Sequence, residues 1–173
     1  MEEPEGFREF VAARSAALVR SAWLLTGDDG EAEDLVQTAL VKTWSRWSRV
    51  QRKDAPEAFV RRVMLSTFLT WRRRRWHGEV PVATLPERVD LEDAYADADV
   101  RRLVQIALQG LPPRQRAVVV LRFFDDLSEA RTAQLLGCSV GTVKSQAAKA
   151  LAKLRQGPLL QDCRDEEVSR EPG

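Results

Sequence analysis

The side chains able to do chemistry in this chain are mostly cationic, and they fall in two blocks. Residues 58–77 hold six arginines, Arg61, Arg62 and the run Arg72-Arg73-Arg74-Arg75, with no acidic residue, for a net charge of +6. Residues 101–157 hold ten basic and three acidic residues, net +7. Between them, residues 78–100 carry seven acidic residues and one basic, net −6. The flanking segments, 1–57 and 158–173, each carry −3, so the overall +1 conceals the segregation. Two cationic blocks on either side of an acidic spacer suggest two polyanion-binding surfaces. Catalysis has few of its usual parts. The one histidine, His77, makes a His-based metal cluster or His-dependent acid–base chemistry a poor expectation. No P-loop, carboxylate cluster, cysteine–histidine pair or metal-ligand spacing is present, so no catalytic residue, metal or cofactor is expected.

The second block contains a pattern with a specific geometry. Leu127-Ser128-Glu129-Ala130-Arg131-Thr132-Ala133-Gln134-Leu135-Leu136-Gly137-Cys138-Ser139-Val140-Gly141-Thr142-Val143-Lys144-Ser145 reads as a helix-turn-helix. Ser128 and Ser139 can each cap a helix. Ala133 is small where two helices would cross closely. Gly137 stands where the chain leaves the first helix, a position that favours left-handed angles. Val140, Val143, Ala147, Leu151 and Leu154 are expected to hold the second helix on its partner. Thr142, Lys144, Ser145, Gln146, Lys149 and Lys153 are then expected to face outward. In a major groove such a helix places its N-terminal side chains on base edges, with Lys and Ser available to phosphates.

The elements that must position these residues are all helical. Phe7, Phe10, Val11, Arg14, Leu18, Trp23 and Leu24 lie at roughly helical spacing, in a helix that should stop near Gly27. Asp28 or Asp29 can cap the next one. There Ala32, Leu35, Val36, Ala39, Leu40, Thr43, Trp44 and Trp47 follow the i, i+3, i+4, i+7 pattern. A polar stretch from Ser48 to Pro56 interrupts it. Pro56 suits the first turn of a third helix, with Phe59, Val60, Val63, Met64, Thr67, Phe68 and Trp71 as its apolar stripe. That helix runs into the arginine run and Trp76. Residues 78–100 read as an acidic linker, with helix an open option near its end. A second helical module runs from Arg101 to about Arg155, broken at Leu111-Pro112-Pro113. An acidic tail, expected to be mobile, follows Gly157-Pro158.

Composition narrows the class. The chain has 173 residues, 44% hydrophobic and 31% charged, which suits a globular protein. No apolar run approaches the ~18 residues of a membrane span, and the acidic start, Met1-Glu2-Glu3-Pro4-Glu5, is no signal peptide. Cys138 and Cys163 make no framework of bridges and read as reduced cytosolic thiols. The expected fold is all-α, two small helical domains joined by a flexible acidic linker, in a cytoplasmic protein without membrane insertion.

Two motifs carry a resemblance. Residues 111–155, beginning Leu-Pro-Pro-Arg-Gln-Arg-Ala-Val-Val-Val-Leu-Arg, look like the promoter-binding region 4 of bacterial sigma factors. Residues 31–47, Glu-Ala-Glu-Asp-Leu-Val-Gln-Thr-Ala-Leu-Val-Lys-Thr-Trp-Ser-Arg-Trp, resemble the core-binding part of region 2. The chain is similar to two-domain sigma factors of the extracytoplasmic-function type, the actinobacterial SigE-like group in particular. The resemblance implies residues 1–77 as region 2, 78–100 as linker and 101–157 as region 4, with 158–173 a tail. It also implies partners: core RNA polymerase, promoter DNA in duplex and single-stranded form, and an anti-sigma factor as a candidate. It places polymerase contacts at Asp34, Leu35, Gln37, Thr38 and Val41. It places minus-ten contacts at Trp47, Arg49, Phe59, Arg61, Arg62, Ser66, Trp71, Arg72, Arg73, Arg74 and Arg75. It places minus-thirty-five contacts at Ser139, Thr142, Lys144, Ser145, Gln146 and Lys149.

The chemistry of these residues agrees with such roles. Opening DNA needs a site that prefers unpaired bases, which aromatic stacking and a basic groove supply. Some of the aromatics must nevertheless be core, Phe59 and Phe68, like the aliphatic Val63, being better placed inside the helix stripe than on its surface. Ser66 stands where many relatives have Asn, which leaves the preferred minus-ten base open. Arg131-Thr132 replaces the more usual Glu-Ile, and Gln146 a common Arg. The 23-residue linker, residues 78 to 100, reaches ~75 Å when extended but averages roughly 26 Å as a coil. Two promoter boxes two helical turns apart are ~70 Å from one another, so both modules grip one promoter only with the linker held extended. The competing readings are a stand-alone duplex-binding regulator, its N-terminal module serving dimerisation, and an enzyme acting on nucleic acid.

Overall fold

The computed structural model describes residues 4–51, 56–76 and 95–157. Among them the regular structure is all helix: α1 (Phe7–Thr26), α2 (Asp29–Trp44), α3 (Trp47–Gln51), α4 (Pro56–Trp76), α5 (Tyr95–Gln109), α6 (Pro113–Val119), α7 (Glu129–Leu136) and α8 (Val140–Arg155). α6 continues into a π-helical turn, Val120–Phe124.

The boundaries follow from local chemistry. α1 ends because Gly27 takes left-handed angles, φ 75°, and its N–H donates to Trp23 O at 2.7 Å. Asp28 then caps α2, its side chain accepting from the Glu31 N–H at 2.8 Å. Pro56 opens α4 in the first turn. Ser128 and Ser139 cap α7 and α8 by accepting from the N–H of Arg131 and of Thr142. Gly137 ends α7 at φ 64°. One expectation shifts: part of the expected polar loop is the short helix α3, because Trp47 and Val50 are buried. α5 begins at Tyr95, near the end of the linker segment, where the sequence left room for a helix. The rest of that linker, His77 and the tail with Cys163 lie outside the described residues.

The N-terminal module is a bundle of α1, α2 and α4. Leu18, Ala22 and Leu25 meet Ala32, Leu35, Val36 and Ala39, and Val60, Met64, Leu65 and Phe68 close the core. Burial of side chains this large contributes about 1.5–3 kcal/mol each. Phe7 packs edge-on against Trp44 and Trp47, with ring centroids 5.0 and 5.1 Å away. In the second module α6, α7 and α8 pack around Val118, Ala133 and Val143. Val143 and Ala150 of α8 are buried, whereas Val140, expected inside, is exposed in its first turn.

The two modules close on one another. Leu108, Leu111, Val120, Leu121 and Leu135 belong to the same apolar cluster as the N-terminal bundle. α5 lies along α1, where Arg101 sits 4.4 Å over the Trp23 ring and the Gln105 side-chain amide donates to Gly27 O. Arg116 of α6 is buried and donates to Leu108 O, Gln109 O and Leu111 O in its own module. It also donates to Leu25 O, near the end of α1, at 2.7 Å. These carbonyls cluster near the C-terminal ends of α1 and α5, where helix dipoles favour a cation. Desolvation, with the Arg72 charge second, pushes the Arg116 guanidinium down to about 10, still protonated at neutral pH.

Candidate nucleic-acid and partner interfaces

Helix α2 offers one outward face. Asp34 and Gln37 are exposed, Thr38 is half-buried, and Val41 is 70% exposed. An exposed valine beside a carboxylate and an amide can pack apolar surface while its neighbours fix a partner's orientation. Leu35, expected at this face, is fully buried in the bundle core. The i+1 step from Asp34 carries it a hundred degrees around the helix, onto the core stripe. α2 is fixed from behind by Glu31. Its carboxylate takes Arg72 at 2.9 Å and also pairs with Arg75.

The basic helix α4 divides its expected DNA residues between two sides. Arg62, Ser66, Arg73 and Arg74 are exposed, and Arg49 is exposed on α3. Phe59 and Trp71 are half-buried, Trp71 against the core. Ser66 donates its hydroxyl to Val63 O at 3.0 Å, a bond within the helix. Four expected contacts are committed elsewhere. Trp47 is buried, its ring against Phe7 and Phe10 and its Nε1–H donating to Glu5 O at 2.8 Å. Arg61 is buried in an ion pair with Asp125 of the other module, at 2.6 Å. Arg72 is partly buried, donating to Thr26 O and Glu31 and lying over the Phe68 ring, 5.5 Å from its centroid. Burial, more than the neighbouring Glu31 offsets, lowers its basicity. Arg75 shares Glu31. The side chain of Trp76 lies outside the described residues.

The same surface gains two residues that the sequence reading passed over. Lys42 and Arg46 are exposed. The Lys42 ammonium donates to Thr67 on α4 at 3.5 Å, one residue from Ser66. The spacing Lys42, Arg46, Arg49 at intervals of four and three was the available signal.

Helix α8 keeps its expected residues outside. Ser139, Lys144, Ser145 and Lys149 are exposed, and Thr142 and Gln146 are half-buried. The Ser139 and Thr142 hydroxyls lie 2.9 Å apart, so the cap also orients the first turn. Lys144 stands 3.7 Å from Glu129, the two side chains 64% and 37% exposed. Such a surface pair contributes ~0–1 kcal/mol and releases Lys144 readily to a phosphate. Behind α8, Thr132 is fully buried with its hydroxyl unpartnered. Arg131 is exposed and donates to Gln134 at 3.1 Å.

Among the described residues no helix is long and apolar enough to cross a membrane.

Comparison with known proteins agrees with this arrangement. Residues 10–78 match sigma-70 region 2, and residues 101–154 match sigma-70 region 4. The chain is 42% identical over 171 residues to an RNA polymerase sigma-E factor of Streptomyces coelicolor, covering 99% of this chain and 96% of that one. It is 44% identical over 150 residues to the sigma-E factor of Streptomyces avermitilis, covering 87% and 83%. The ECF RNA polymerase sigma factor SigE of Mycolicibacterium smegmatis is 32% identical over 155 residues, covering 85% of this chain and 59% of that one. Among solved structures, sigma factor RpoE in complex with the anti-sigma factor NepR, from Bartonella quintana, shares the fold. The TM-score is 0.69 at 23% identity, over 88% of this chain and 96% of that one. CnrH, in complex with the cytosolic domain of CnrY, superimposes with a TM-score of 0.63 at 24% identity, over 91% and 88%. The chain belongs to the sigma-70 family, as an RNA polymerase sigma factor of the extracytoplasmic-function type that serves promoter recognition.

Proposed function

We propose that the two modules divide promoter recognition as their surfaces suggest. Residues 1–77 hold core polymerase and read the minus-ten element, 78–100 join the modules, 101–157 read the minus-thirty-five element, and 158–173 form a tail. The α2 face of Asp34, Gln37, Thr38 and Val41 docks on the polymerase. Helix α8 enters the major groove of duplex DNA, where Thr142, Ser145 and Gln146 meet base edges and Lys144 and Lys149 meet phosphates. On α4 the outward residues Arg62, Ser66, Arg73 and Arg74, joined by Arg49 and Lys42, line the path of the minus-ten strand. Cations there neutralise the backbone, and half-buried Phe59 and Trp71 offer ring edges to an unstacked base.

Sigma factors are transcription initiation factors rather than catalysts, and we extend this to the chain: it works by binding energy alone, in the cytoplasm. Holding one strand unpaired needs no bond-breaking, only a site that favours unstacked bases over the duplex. Two solved relatives of this fold are bound to an anti-sigma factor or to a partner's cytosolic domain. We take an inhibitor of that kind as a candidate partner here.

The exposure of Asp34, Gln37 and Val41 opposite the buried stripe of Ala32, Leu35, Val36 and Ala39 supports the reading most strongly. It is tested by gel filtration of the purified chain with core RNA polymerase. The chain is expected to co-migrate, and Asp34→Ala plus Gln37→Ala to weaken the complex while leaving the fold intact by circular dichroism. Unchanged co-migration of the double variant would rule out this face.

A further inference from the structure

Helix α8 is cationic with little to balance it. Lys144, Lys149, Lys153 and Arg155 are all exposed, and the helix contains no acidic residue. Lys144 pairs with Glu129 at 3.7 Å. Among the described residues no carboxylate pairs with Lys149, Lys153 or Arg155. At about 100° per residue, Lys144 and Arg155 fall on one flank of the helix and Lys149 and Lys153 on the other. Exposed Ser145, Ala148 and Ala152 lie between the flanks. An acidic segment laid along these small side chains would have cations on both sides.

The sequence supplies such a segment next to this helix. The chain leaves α8 at Gly157, whose N–H donates to Leu154 O at 3.2 Å, and Leu154 ties that end to the core. Residues 158–173 follow, with five acidic residues and two basic, net −3. Pro158-Leu159-Leu160-Gln161 holds no charge, and Asp162, Asp165, Glu166 and Glu167 then fall within six positions. The uncharged spacer has a physical reason. The C-terminal end of a helix carries partial negative charge and disfavours carboxylates beside it.

The spacing also suits the reach. Glu166 lies nine residues beyond Gly157. As a coil nine residues span roughly 15–18 Å. Lys149 is ~12 Å back along the helix axis from Gly157, and Lys144 ~20 Å. The acidic cluster thus meets the cations without being stretched. A tether this short gives an effective concentration in the millimolar range. Exposed ion pairs are individually weak and screened by salt, so the docked segment yields to a polyanion of higher charge density.

We propose that the acidic cluster of residues 162–167 docks on the cationic flanks of α8 in the free chain and competes there with the phosphates of duplex DNA. The competition rests on the reading of α8 as a duplex-binding helix, in which Lys144 and Lys149 meet phosphates. The apparent affinity for duplex is then reduced by the fraction of molecules whose α8 is uncovered. With the segment docked on about four molecules in five, neutralising it raises that affinity about fivefold. The same factor applies to promoter and random duplex, since both need the same lysines.

Two measurements on the full chain test this. The first reads docking without DNA. Cys138→Ser leaves Cys163 as the one thiol of the chain, and a nitroxide on Cys163 stands inside the acidic cluster. Circular dichroism checks that the fold is kept. The backbone amide signals of Lys149 and Lys153 are expected to broaden. They are expected to recover at 1 M salt, where the Debye length is ~3 Å. They should also recover when Asp162→Asn, Asp165→Asn, Glu166→Gln and Glu167→Gln are introduced together. Absent broadening would overturn the docking, and so would equal broadening with and without the four carboxylates, which is tether proximity alone. The second measurement is fluorescence anisotropy of a labelled random-sequence duplex at low salt. The neutralised variant is expected to bind about fivefold more tightly than wild type, the difference shrinking as salt is raised. Equal affinities would overturn the competition. If neither protein binds duplex at saturating concentration, the duplex reading of α8 fails and the competition with it, while the nitroxide still decides whether the segment docks.

Discussion

Helices α4 and α8 carry the same kind of signal, a basic face opposite an apolar stripe, yet the fold uses them differently. On α8 every residue expected to meet DNA is exposed or half-buried. On α4 the cations are divided: Arg62, Arg73 and Arg74 face out, whereas Arg61, Arg72 and Arg75 are drawn into ion pairs with Asp125 and Glu31. The cause is the number of covered sides. α8 packs on α6 and α7 and leaves its remaining surface free. α4 packs on α1 and α2 on one side and on α6 and α7 on another. A helix covered twice has few positions left for solvent, and long arginine side chains there find carboxylates instead. A run of arginines is therefore weaker evidence of a binding surface than a capped helix with its lysines outside.

The comparison can be broken at its strongest point first. Phe68 lies at the centre of α4, fully buried, beneath the guanidinium groups of Arg72 and Arg116. Phe68→Ala is expected to cost about 3–5 kcal/mol in urea unfolding. A loss below about 1 kcal/mol, the range of an ordinary surface change, would mean that this face of α4 is not core.

Glu31 is next. Removing its carboxylate takes the acidic partner from both Arg72 and Arg75, leaving Arg72 bonded to Thr26 O. Glu31→Ala is expected to destabilise the chain by about 2 kcal/mol, as expected for charge-assisted hydrogen bonds. It should also strengthen binding to single-stranded DNA at low salt, because the carboxylate that neutralises this cationic end of α4 is gone. If single-strand binding is unchanged, those arginines are structural in both states.

Smaller effects sharpen the α8 side. Thr132→Val removes a buried hydroxyl that has no partner and is expected to stabilise the chain by about 1 kcal/mol, read as a shift in the unfolding midpoint. Lys144→Ala with Lys149→Ala is expected to leave stability within about 0.5 kcal/mol. It should reduce the salt slope of duplex binding by about one per lysine lost. An unaltered slope would remove α8 from the phosphate backbone.

What could be read from the sequence follows the same division. Caps and left-handed glycines are local devices, so Gly27, Ser128, Gly137 and Ser139 could be placed without any knowledge of the fold, and the cap of α2 narrowed to Asp28 or Asp29, of which the structure uses Asp28. Periodicity reports the main core stripe of a helix, which placed α1, α2 and α4 and most of the face of α8. It does not report a second side covered by residues far along the chain. Arg61 and Arg62 are adjacent and chemically identical in sequence. Only the arrival of Asp125, 64 positions away, separates their fates. Trp47 was read as a possible DNA contact, but it fills the gap left between Phe7 and Phe10 at the N-terminus. The resemblance puts Leu35 on the polymerase face, whereas its place in the apolar stripe of α2 puts it in the core, and the core is where it lies. The π turn left no sequence signal.

The most direct test of the whole account is transcription from fragmented genomic DNA with purified core polymerase and this chain, followed by mapping of the RNA start sites. The account predicts start sites absent with core alone, preceded by two shared sequence boxes about two helical turns apart, and lost with Asp34→Ala plus Gln37→Ala. Start sites identical to those of core alone, across a range of protein concentrations, would contradict it.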